Sequence, residues 1–455
     1  MSFANESSIA QRVVELAATS SAAEAEVSVL HSAEALTRFA NSAIHQNVAD
    51  ATTTVRLRLH LDGRTATGST TLIEPAGLES LVERTMAAAR LSPPDTTWPG
   101  LTPPTPSVAG DFDEATARAT PEERAQRVRA FVDAAGGLET AGYCRTVYRS
   151  GAFANSAGQT AEGRAAAADM DGIARDHGVD GVARLAGHRL ADLDGAVLGA
   201  RAAAKARAGG HAVVLPPGRY EVVLEPEAVA DLMTNLAVFG FNGRAFARGE
   251  SFAELGAGQF DPAVTIVDDP AGDLPFDLEG TPRVPLTLVD AGTTAAVTHD
   301  RRTAAEAGAV STGHASLFAH WWGPIASHLR MLPGPSRSEA SPAGGPTAAS
   351  ARPLVAGVER GLLITDLWYT RVLDQKSMVI TGLTRNGVWL VEDGEVTAAV
   401  GNMRFTQSYR EALAPGAIRA IGAEAVPVPD RQAGHRITVP ALHLASWNLT
   451  GNASG

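Results

Sequence analysis

The sequence predicts an α+β fold, with a mixed α/β N-terminal domain followed by a mostly antiparallel, β-rich C-terminal domain. Three observations support this class. Helix-period and strand-period segments alternate up to residue 208, strand-period segments dominate after it, and Gly209-Gly210 follows the last helical pattern of the first half. We therefore expect one domain over residues 1–209 and a second over residues 210–455.

In the first half, apolar spacing predicts four helices and four strands. The helices are expected around 9–17, over 78–90, after the capping box Thr120-Pro121-Glu122-Glu123, and over 193–208. The strands are expected over 24–30, 53–61, 146–153 and 165–173. Asp62-Gly63 predicts a tight hairpin turn, and the proline-rich stretch 92–110 predicts a surface connection.

In the second half, strand patterns dominate. They cover 220–224, 263–267, 295–299, 362–367, 377–382, 387–391 and 395–400, with a hairpin turn at Asp393-Gly394. One helix is predicted over 227–239. Residues 333–353 are rich in Pro, Gly, Ser and Ala, which predicts a flexible loop.

Composition excludes several classes of function. The 455 residues carry 38 Lys+Arg and 50 Asp+Glu, so the net charge of −12 disfavours binding to nucleic acid or anionic membranes. No apolar run reaches the roughly 18 residues of a membrane span. Residues 1–12 lack a signal-peptide pattern, so we expect a cytoplasmic protein. The single cysteine, Cys144, excludes an internal disulfide and a multi-cysteine zinc site.

Two groups of side chains could bind a cation. His314, His320 and His328 lie close together in the sequence, but their spacings of six and eight do not place them on one helix face. They could be metal ligands or simply packed and solvated histidines. Asp268, Asp269, Asp273, Asp277 and Glu279 follow a predicted strand. These acids could bind a divalent cation or cap the amides of ordinary turns.

Cys144 has two interpretations. The neighbouring Arg145 could lower the pKa of the thiol and make it reactive, or the thiol could be a buried structural group. The residues alone therefore define no active site.

Six segments together resemble the TldD/PmbA family, whose members are regarded as cytoplasmic metallopeptidases and were once labelled modulators of DNA gyrase. The resemblance covers most of residues 25–415 and depends on the order and spacing of these segments. They are FANSAGQTAEG (153–163), YEVVLEPEAVADLMTNLAVFGFNGRAFARGESFAELG (220–256), VTIVDDP (264–270), FDLEGTP (276–282), GLLITDL (361–367) and TGLTRNGVWLVEDGEVTAAVGNMRFTQS (381–408).

The resemblance also indicates which subunit type this is. TldD-type chains carry His-Glu-x-x-x-His on the central helix, and the two histidines with a C-terminal-domain cysteine bind zinc. Here that stretch is PEAVAD, so Pro226 and Asp231 replace the histidines and only Glu227 remains. No cysteine is present in the C-terminal half. Glu227 is explained more simply as a first-turn acid that the helix dipole favours than as a catalytic residue.

This degenerate motif is similar to that of the TldE (PmbA)-type subunit. The resemblance implies a chain without catalytic residues, metal or cofactor, paired with a TldD-type subunit that contains the zinc. The heterodimer would cleave small or unfolded peptides, as in leader removal, peptide maturation or proteolysis. Two alternatives stay open: a self-sufficient hydrolase in natural-product maturation, and a binding protein similar to a gyrase modulator.

Overall fold

Three β-sheets organise the chain, and helices cover one face of the first. The computed structural model describes residues 6–20, 23–107, 110, 112–317, 319–335, 347–429 and 436–453. The α+β class and the strand-rich second half predicted from the sequence are confirmed.

Among its described residues, the first half contains five α-helices and six strands. The helices are α1 (Glu6–Ser20), α2 (Pro75–Leu91), α3 (Glu114–Ala117), α4 (Pro121–Ala134) and α5 (Gly195–Ala208). The strands are β1 (Glu24–Ala40), β2 (Ala43–Leu61), β3 (Arg64–Thr70), β4 (Glu139–Asn155), β5 (Thr160–Asp176) and β6 (Val179–Gly187). All the elements predicted here are present, but the strands are longer than expected because small and polar residues extend them beyond their apolar segments.

The first sheet is antiparallel, with strand order β3-β2-β1-β4-β5-β6. One face carries two apolar clusters, one beneath α1 and α2 and the other beneath α4 and α5. The predicted turn at Asp62-Gly63 is confirmed, since both residues have positive φ (49° and 72°) and join β2 to β3. Two similar turns, Asn41-Ser42 and His177-Gly178, were not predicted.

The N-terminus of α4 confirms the predicted capping box. The Thr120 hydroxyl accepts a hydrogen bond from the Glu123 amide at 3.3 Å, and the Glu123 carboxylate accepts one from the Thr120 amide at 2.7 Å. The pKa of Glu123 is lowered, first by that backbone hydrogen bond. Local residues alone specify this helix start.

The second half contains six helices and thirteen strands among its described residues. The helices are α6 (Pro226–Asn235), α7 (Gly243–Ala247), α8 (Arg301–Ala307), α9 (Ala319–Trp322), α10 (Arg352–Val355) and α11 (Tyr409–Ala412). The strands are β7 (Gly218–Leu224), β8 (Ile266–Asp268), β9 (Leu286–Asp290), β10 (Thr293–Thr294), β11 (Leu329–Met331), β12 (Arg360–Asp374), β13 (Val379–Glu392), β14 (Glu395–Ala399), β15 (Met403–Ser408), β16 (Ile418–Ile421), β17 (Val426–Pro429), β18 (Arg436–Val439) and β19 (Leu442–Asn452).

These strands form two mixed but mainly antiparallel sheets. One has the order β10-β9-β8-β11-β18-β17, and the other β12-β7-β19-β15-β13-β14. Only the β7–β12 and β11–β18 ladders are parallel among the described strands. Helix α6, continued by a π-helical turn over Leu236–Gly240, contributes Val229, Leu232 and Met233 to the largest apolar core.

Several boundaries in the second half differ from the sequence-based prediction. The two strands predicted over 377–382 and 387–391 are one strand, β13, because Asn386 and Gly387 adopt positive φ without ending the ladder. The strand predicted over 295–299 is not present, since this segment connects β10 to the N-terminus of α8. The expected strand 263–267 begins only at Ile266.

The predicted flexible loop, 333–353, falls partly outside the described residues, so its flexibility stays a prediction. Its C-terminal end is packed, because Ala348 and Ala351 lie in an apolar cluster beside α10. The domain boundary at 209/210 likewise stays a prediction; it falls between α5 and β7, which belong to different layers of the structure.

The close packing of α5 against α4 generates a test. A Cβ added at Gly199 would lie 2.1 Å from the Phe131 carbonyl oxygen. We expect Gly199→Ala to lower the free energy of unfolding by about 1–3 kcal/mol, because the two helices must move apart. Urea denaturation would measure this change. Ala200→Gln, on the exposed side of the same helix, is the matched control and should change stability by less than about 0.5 kcal/mol; equal losses in both variants would contradict the prediction.

Candidate functional site

The N-terminus of α6, where the sequence aligns with the family motif, is the first candidate site. Pro226 occupies the first helical position, where its missing N–H and fixed φ favour a helix start. Pro226 and Glu227 are both buried. Helix α5 of the first half supplies the charged side chains that contact this helix start.

Glu225 precedes the helix and is fully buried between two cations. Its Oε2 lies 2.6 Å from Lys205 Nζ and 3.4 Å from Arg201 Nη2, and its Oε1 accepts a hydrogen bond from the Ala348 amide at 2.6 Å. Burial acts to raise the pKa of Glu225, but Lys205 and Arg201 outweigh it and lower this pKa. Because Lys205 is equally buried, the pair joins α5 to the second half of the chain without any contact with water.

Glu227 is bound to Arg201 as well. Both carboxylate oxygens lie 3.1–3.2 Å from Arg201 Nη2, and only 2% of the side chain is exposed. Oε1 has no aligned hydrogen-bond donor among the described residues, so the contact there is an ion pair without a directed bond. A guanidinium stays protonated at all physiological pH values, so Arg201 provides a permanent positive charge that occupies this carboxylate.

Asp231, at the second altered motif position, faces different partners. Its carboxylate accepts hydrogen bonds from the Tyr409 hydroxyl at 2.8 Å and the Thr370 hydroxyl at 2.9 Å, and from the Asn235 amide at 3.2 Å. Burial, followed by the charge of Asp231, raises the pKa of Tyr409 well above its usual value, so this phenol donates rather than ionises. Asp231 therefore joins α6 to β12 and α11.

These residues do not fit a zinc ion. Pro226 has no donor atom, Glu227 is bound to Arg201, and Asp231 is directed at Tyr409 and Thr370. A catalytic zinc site needs three protein ligands and an open position. No group of three His, Cys, Asp or Glu side chains suited to a metal occurs anywhere in the described part of the chain.

Asp366, from the segment GLLITDL, forms a further buried link between the two halves. It accepts hydrogen bonds from Arg184 on β6 at 3.0 Å and from Asn386 at 3.0 Å, while Arg184 also contacts Asp171 at 2.6 Å. Sequence reasoning missed Arg184, Arg201 and Lys205. The one local signal was the like-charged pair Arg201/Lys205 at i,i+4 in an alanine-rich helix, which is unfavourable without a shared acidic partner.

The predicted acidic cluster is dispersed among separate cations and amides. Glu279 contacts Arg58 at 2.8 Å and Arg301 at 3.1 Å, and Asp273 contacts Arg283 at 2.9 Å. Further contacts include Asp268 with His314, Asp269 with Arg330, and Asp277 with the amides of Glu279, Thr281 and Ala315. Of the two interpretations, the one based on turns and capped amides describes Asp277, and it also applies to Asp268 and Asp269, which accept the His328 and Ala271 amides in addition to their ion pairs. Asp273 and Glu279 are bound mainly by ion pairs.

Asp277 and Glu279 have opposite electrostatic environments. Burial, followed by the charge of Glu279, raises the pKa of Asp277 to about 7. For Glu279, burial acts to raise the pKa, but the charges of Arg58 and Arg301 outweigh burial and lower this pKa to about 2. Asp277 is thus a capping group that changes its protonation state near neutral pH. Glu279, in contrast, stays ionised at the contact between the two halves.

The histidine cluster is only partly brought together. His314 Nε2 lies 3.1 Å from Asp268 Oδ2, and His328 Nε2 lies 3.4 Å from Asp273 Oδ2. His320 belongs to α9, but its side chain lies outside the described part of the structure. The two described histidines contact the acidic segment, a proximity that the separate sequence patterns did not indicate.

Cys144 is a buried side chain in the apolar cluster beneath α4 and α5. Burial, followed by the charge of Asp169, raises the pKa of its thiol to about 12. Arg145 is directed to Asp169 at 2.9 Å instead of to the sulfur. The structure therefore favours the buried structural interpretation of this cysteine.

The buried pair Lys205–Glu225 generates a stability test. Lys205→Met leaves Glu225 buried with Arg201, at 3.4 Å, as its remaining cation among the described residues, so we expect the free energy of unfolding to fall by about 3–5 kcal/mol. Urea denaturation would measure it. Adding Glu225→Gln, which still accepts the Ala348 N–H, should restore part of the loss. Lys376→Met changes the other lysine, which is exposed, and serves as the matched control. A loss no larger than that of the control would contradict the prediction.

His328 generates a test of pH dependence. Burial is the main cause that lowers its pKa to about 4, with Arg283 and Arg436 acting in the same direction and Asp273 and Asp268 opposing. The unfolded chain binds this proton below about pH 6.5 while the folded chain does not. Stability contributed by neutral His328 is therefore complete above pH 6.5 and is lost as pH falls towards 4.

Between pH 7 and pH 4.5 we expect the free energy of unfolding to fall by about 2–3 kcal/mol more in wild type than in His328→Gln. Urea denaturation at each pH would measure both changes. His177→Gln, at a side chain that is 97% exposed, is the control. The same pH slope in wild type and His328→Gln would contradict the assignment.

Two family models match parts of this chain. The model described as PmbA/TldA metallopeptidase C-terminal domain matches residues 217–451, and that of PmbA/TldA metallopeptidase domain 1 matches residues 25–89. No curated protein sequence matches the chain. No described helix is both long and apolar enough to cross a membrane.

Three solved structures share the fold over nearly the whole length. TldE from Thermococcus kodakarensis has a TM-score of 0.83 at 18% identity, covering 98% of this chain and 100% of its own. A putative modulator of a DNA gyrase from Thermotoga maritima scores 0.81 at 19% identity, covering 97% and 99%. A putative modulator of DNA gyrase from Bacteroides thetaiotaomicron scores 0.80 at 18% identity, covering 98% of each chain. Because the C-terminal family model alone matches more than half of the 455 residues, this chain belongs to the PmbA/TldD metallopeptidase family.

Proposed function

We propose that this chain is the non-catalytic, TldE-type subunit of a heterodimeric TldD/TldE zinc metallopeptidase. Its partner would be a cytoplasmic TldD-type chain that carries the His-Glu-x-x-x-His motif and contains the zinc. The substrates would be small or unfolded peptides, in peptide maturation, leader removal or proteolysis.

The contact of Glu227 with Arg201 carries this proposal. A general base must exchange a proton with water or substrate near a reacting atom. Glu227 is buried and bound to a guanidinium from another part of the fold, and neither of its former histidine neighbours in the motif is present. Family membership supplies the peptidase context, and the chemistry around α6 supports a subunit without its own reaction centre.

Asp231 supports the same conclusion from the opposite end of the motif. Three donors already occupy its carboxylate, so it completes a hydrogen-bond network between α6 and two other elements. Restoring a metal ligand there would remove the acceptor that Tyr409 and Thr370 share. The hydrogen bonds to Asp231 would thus maintain the shape of the helix, as the metal would in a TldD-type chain.

The proposal predicts a defined metal content and a requirement for the partner. Purified alone, the chain should contain far less than one zinc per molecule by mass spectrometry of the metal, and should not cleave fluorescein-labelled casein. Mixed with a TldD-type chain, it should form a heterodimer by light scattering. Casein cleavage should then appear and be lost on adding a chelator.

Glu227→Gln tests which subunit provides the base. We expect the heterodimer's activity to stay within about twofold of wild type, because Arg201 keeps its contact with Glu225 at 3.4 Å and the fold is maintained. The matched control is the same Glu→Gln change in the partner's motif, which should abolish cleavage. Equimolar zinc in the isolated chain would favour a self-sufficient hydrolase instead. Loss of activity on Glu227→Gln with assembly intact would do the same.

A further inference from the structure

The first sheet has an open edge along β2. Strand β3 ends at Thr70, which pairs with Val55, so no described strand lies beside residues 43–54 on that side. The other side of β2 is fully paired with β1. We call residues 43–54 the open edge.

The register identifies the backbone groups that point outwards. The turn Asp62-Gly63 makes Leu61 and Arg64 a hydrogen-bonded pair, so Leu61 and every second residue before it direct their N–H and C=O towards β3. Beyond the end of β3, the same alternation leaves Asn47, Ala49, Ala51 and Thr53 with their backbone groups facing the open edge. The even-numbered residues face β1.

The open edge lacks the features by which proteins protect such strands. It has no proline and no lysine, and its one charged residue is Asp50. The only irregularity in the ladder lies at Arg38/Phe39, at the hairpin end, so residues 47–53 are regular strand. Residues 45–52 are exposed, on both faces of the sheet. The edge is therefore accessible to another extended chain along its length.

The side chains indicate what kind of chain would bind. Val48 is the one large hydrophobic residue exposed along the open edge, so the surface offers little of the apolar area that a permanent subunit interface requires. Apart from the half-buried Ile44, the remaining side chains are small or polar. This surface suits a single extended peptide held by its main chain, because such binding places few demands on side chains.

The charges along the open edge favour a peptide with a basic side chain. Asp50 lies directly opposite Glu34 in the ladder, and like charges in this position are unfavourable. Arg145 lies 3.8 Å from Glu34, whereas no described cation forms an ion pair with Asp50. A basic side chain on the incoming strand, next to Asp50 on the same face, would relieve this repulsion. The net charge of −12 favours a cationic ligand as well.

We propose that the open edge of β2 binds an extended, cationic peptide segment by strand addition. The outward amides and carbonyls of Asn47, Ala49, Ala51 and Thr53 form the ladder, and Asp50 selects Lys or Arg. This site goes beyond the proposed function, because it needs neither the partner subunit nor cleavage.

The test uses the full chain and two fluorescein-labelled decapeptides of alternating Thr and Ser, one with a central Lys and one with a central Glu. Fluorescence anisotropy should show that the Lys peptide binds about twofold to fivefold tighter than the Glu peptide. Asp50→Asn should remove this difference. Equal binding of the two peptides to wild type would overturn the charge preference.

Proline variants test the main-chain ladder. Ala49→Pro and Ala51→Pro each remove an outward N–H while leaving the ladder to β1 intact, since proline is tolerated on edge strands. We expect each to weaken binding of the Lys peptide at least about tenfold. Ala49→Ser and Ala51→Ser keep the N–H and are the matched controls. Unchanged binding in the proline variants would overturn strand addition at this edge.

Hydrogen exchange shows whether the proline variants are folded, and light scattering shows whether a second copy of this chain occupies the edge instead. In the free chain, the amides of Ala49 and Ala51 should exchange faster than those of Val48 and Asp50, and the Lys peptide should slow the first pair. Protection of Val48 and Asp50 in the proline variants would show that β1–β2 is intact. Absence of slowing would overturn the proposal. So would light scattering that shows a dimer of this chain abolished by Ala49→Pro, since that result assigns the edge to a second copy.

Discussion

Buried charge pairing between the two halves of the chain is the constraint on which the rest of the structure depends. The second half buries carboxylates at its contact with the first, and a buried carboxylate without a cation would be strongly destabilising. Lys205, Arg201, Arg58 and Arg184 of the first half provide those cations, for Glu225, Glu227, Glu279 and Asp366 respectively. Neither half could bury these groups alone, so the charges determine how the two sheet systems dock.

The same constraint supports the proposal that the motif helix is not a reaction centre. In a zinc peptidase of this family, a divalent cation at the helix would be the positive charge around which ligands and base are arranged. Here the positive charge comes from two side chains of α5, Arg201 and Lys205. The acids next to the helix start are consequently oriented towards the first half of the chain. The position of the helix is retained while its chemistry becomes structural.

Sequence reasoning succeeded where the physical cause was local. Thr120-Pro121-Glu122-Glu123 and Asp62-Gly63 specify their cap and turn through contacts within four residues, and both were predicted correctly. It failed where the cause was a distant partner. Arg201 and Glu227 are 26 residues apart, and the like-charged pair Arg201/Lys205 indicates only that an acidic partner is needed, not which residue it is.

The strands show the same division. Residues 31–52 of β1 and β2 lack apolar alternation, because both faces of the sheet are partly exposed there, so only the buried parts of these strands were recognised. The acidic segment 268–279 was predicted to be either a cation site or a set of capped turns, but its ion-pair partners are spread along the chain from Arg58 to Arg330. A sequence pattern can mark residues that need compensation, whereas the fold decides what compensates them.

The poor fit of α6 to a zinc ion has more causes than the missing histidines. Suppose that positions 226 and 231 both carried histidine. The family positions are five residues apart, about 140° around an ideal helix, so a third ligand from another element would still be required, and the second half has no cysteine. Arg201 would remain 3.1 Å from Glu227, where its positive charge opposes that of a metal. Replacing Asp231 would also leave the Tyr409 hydroxyl buried without its acceptor. A zinc ligand at position 231 would therefore break existing contacts, so the poor fit to zinc is a property of the ion-pair and hydrogen-bond network around the helix.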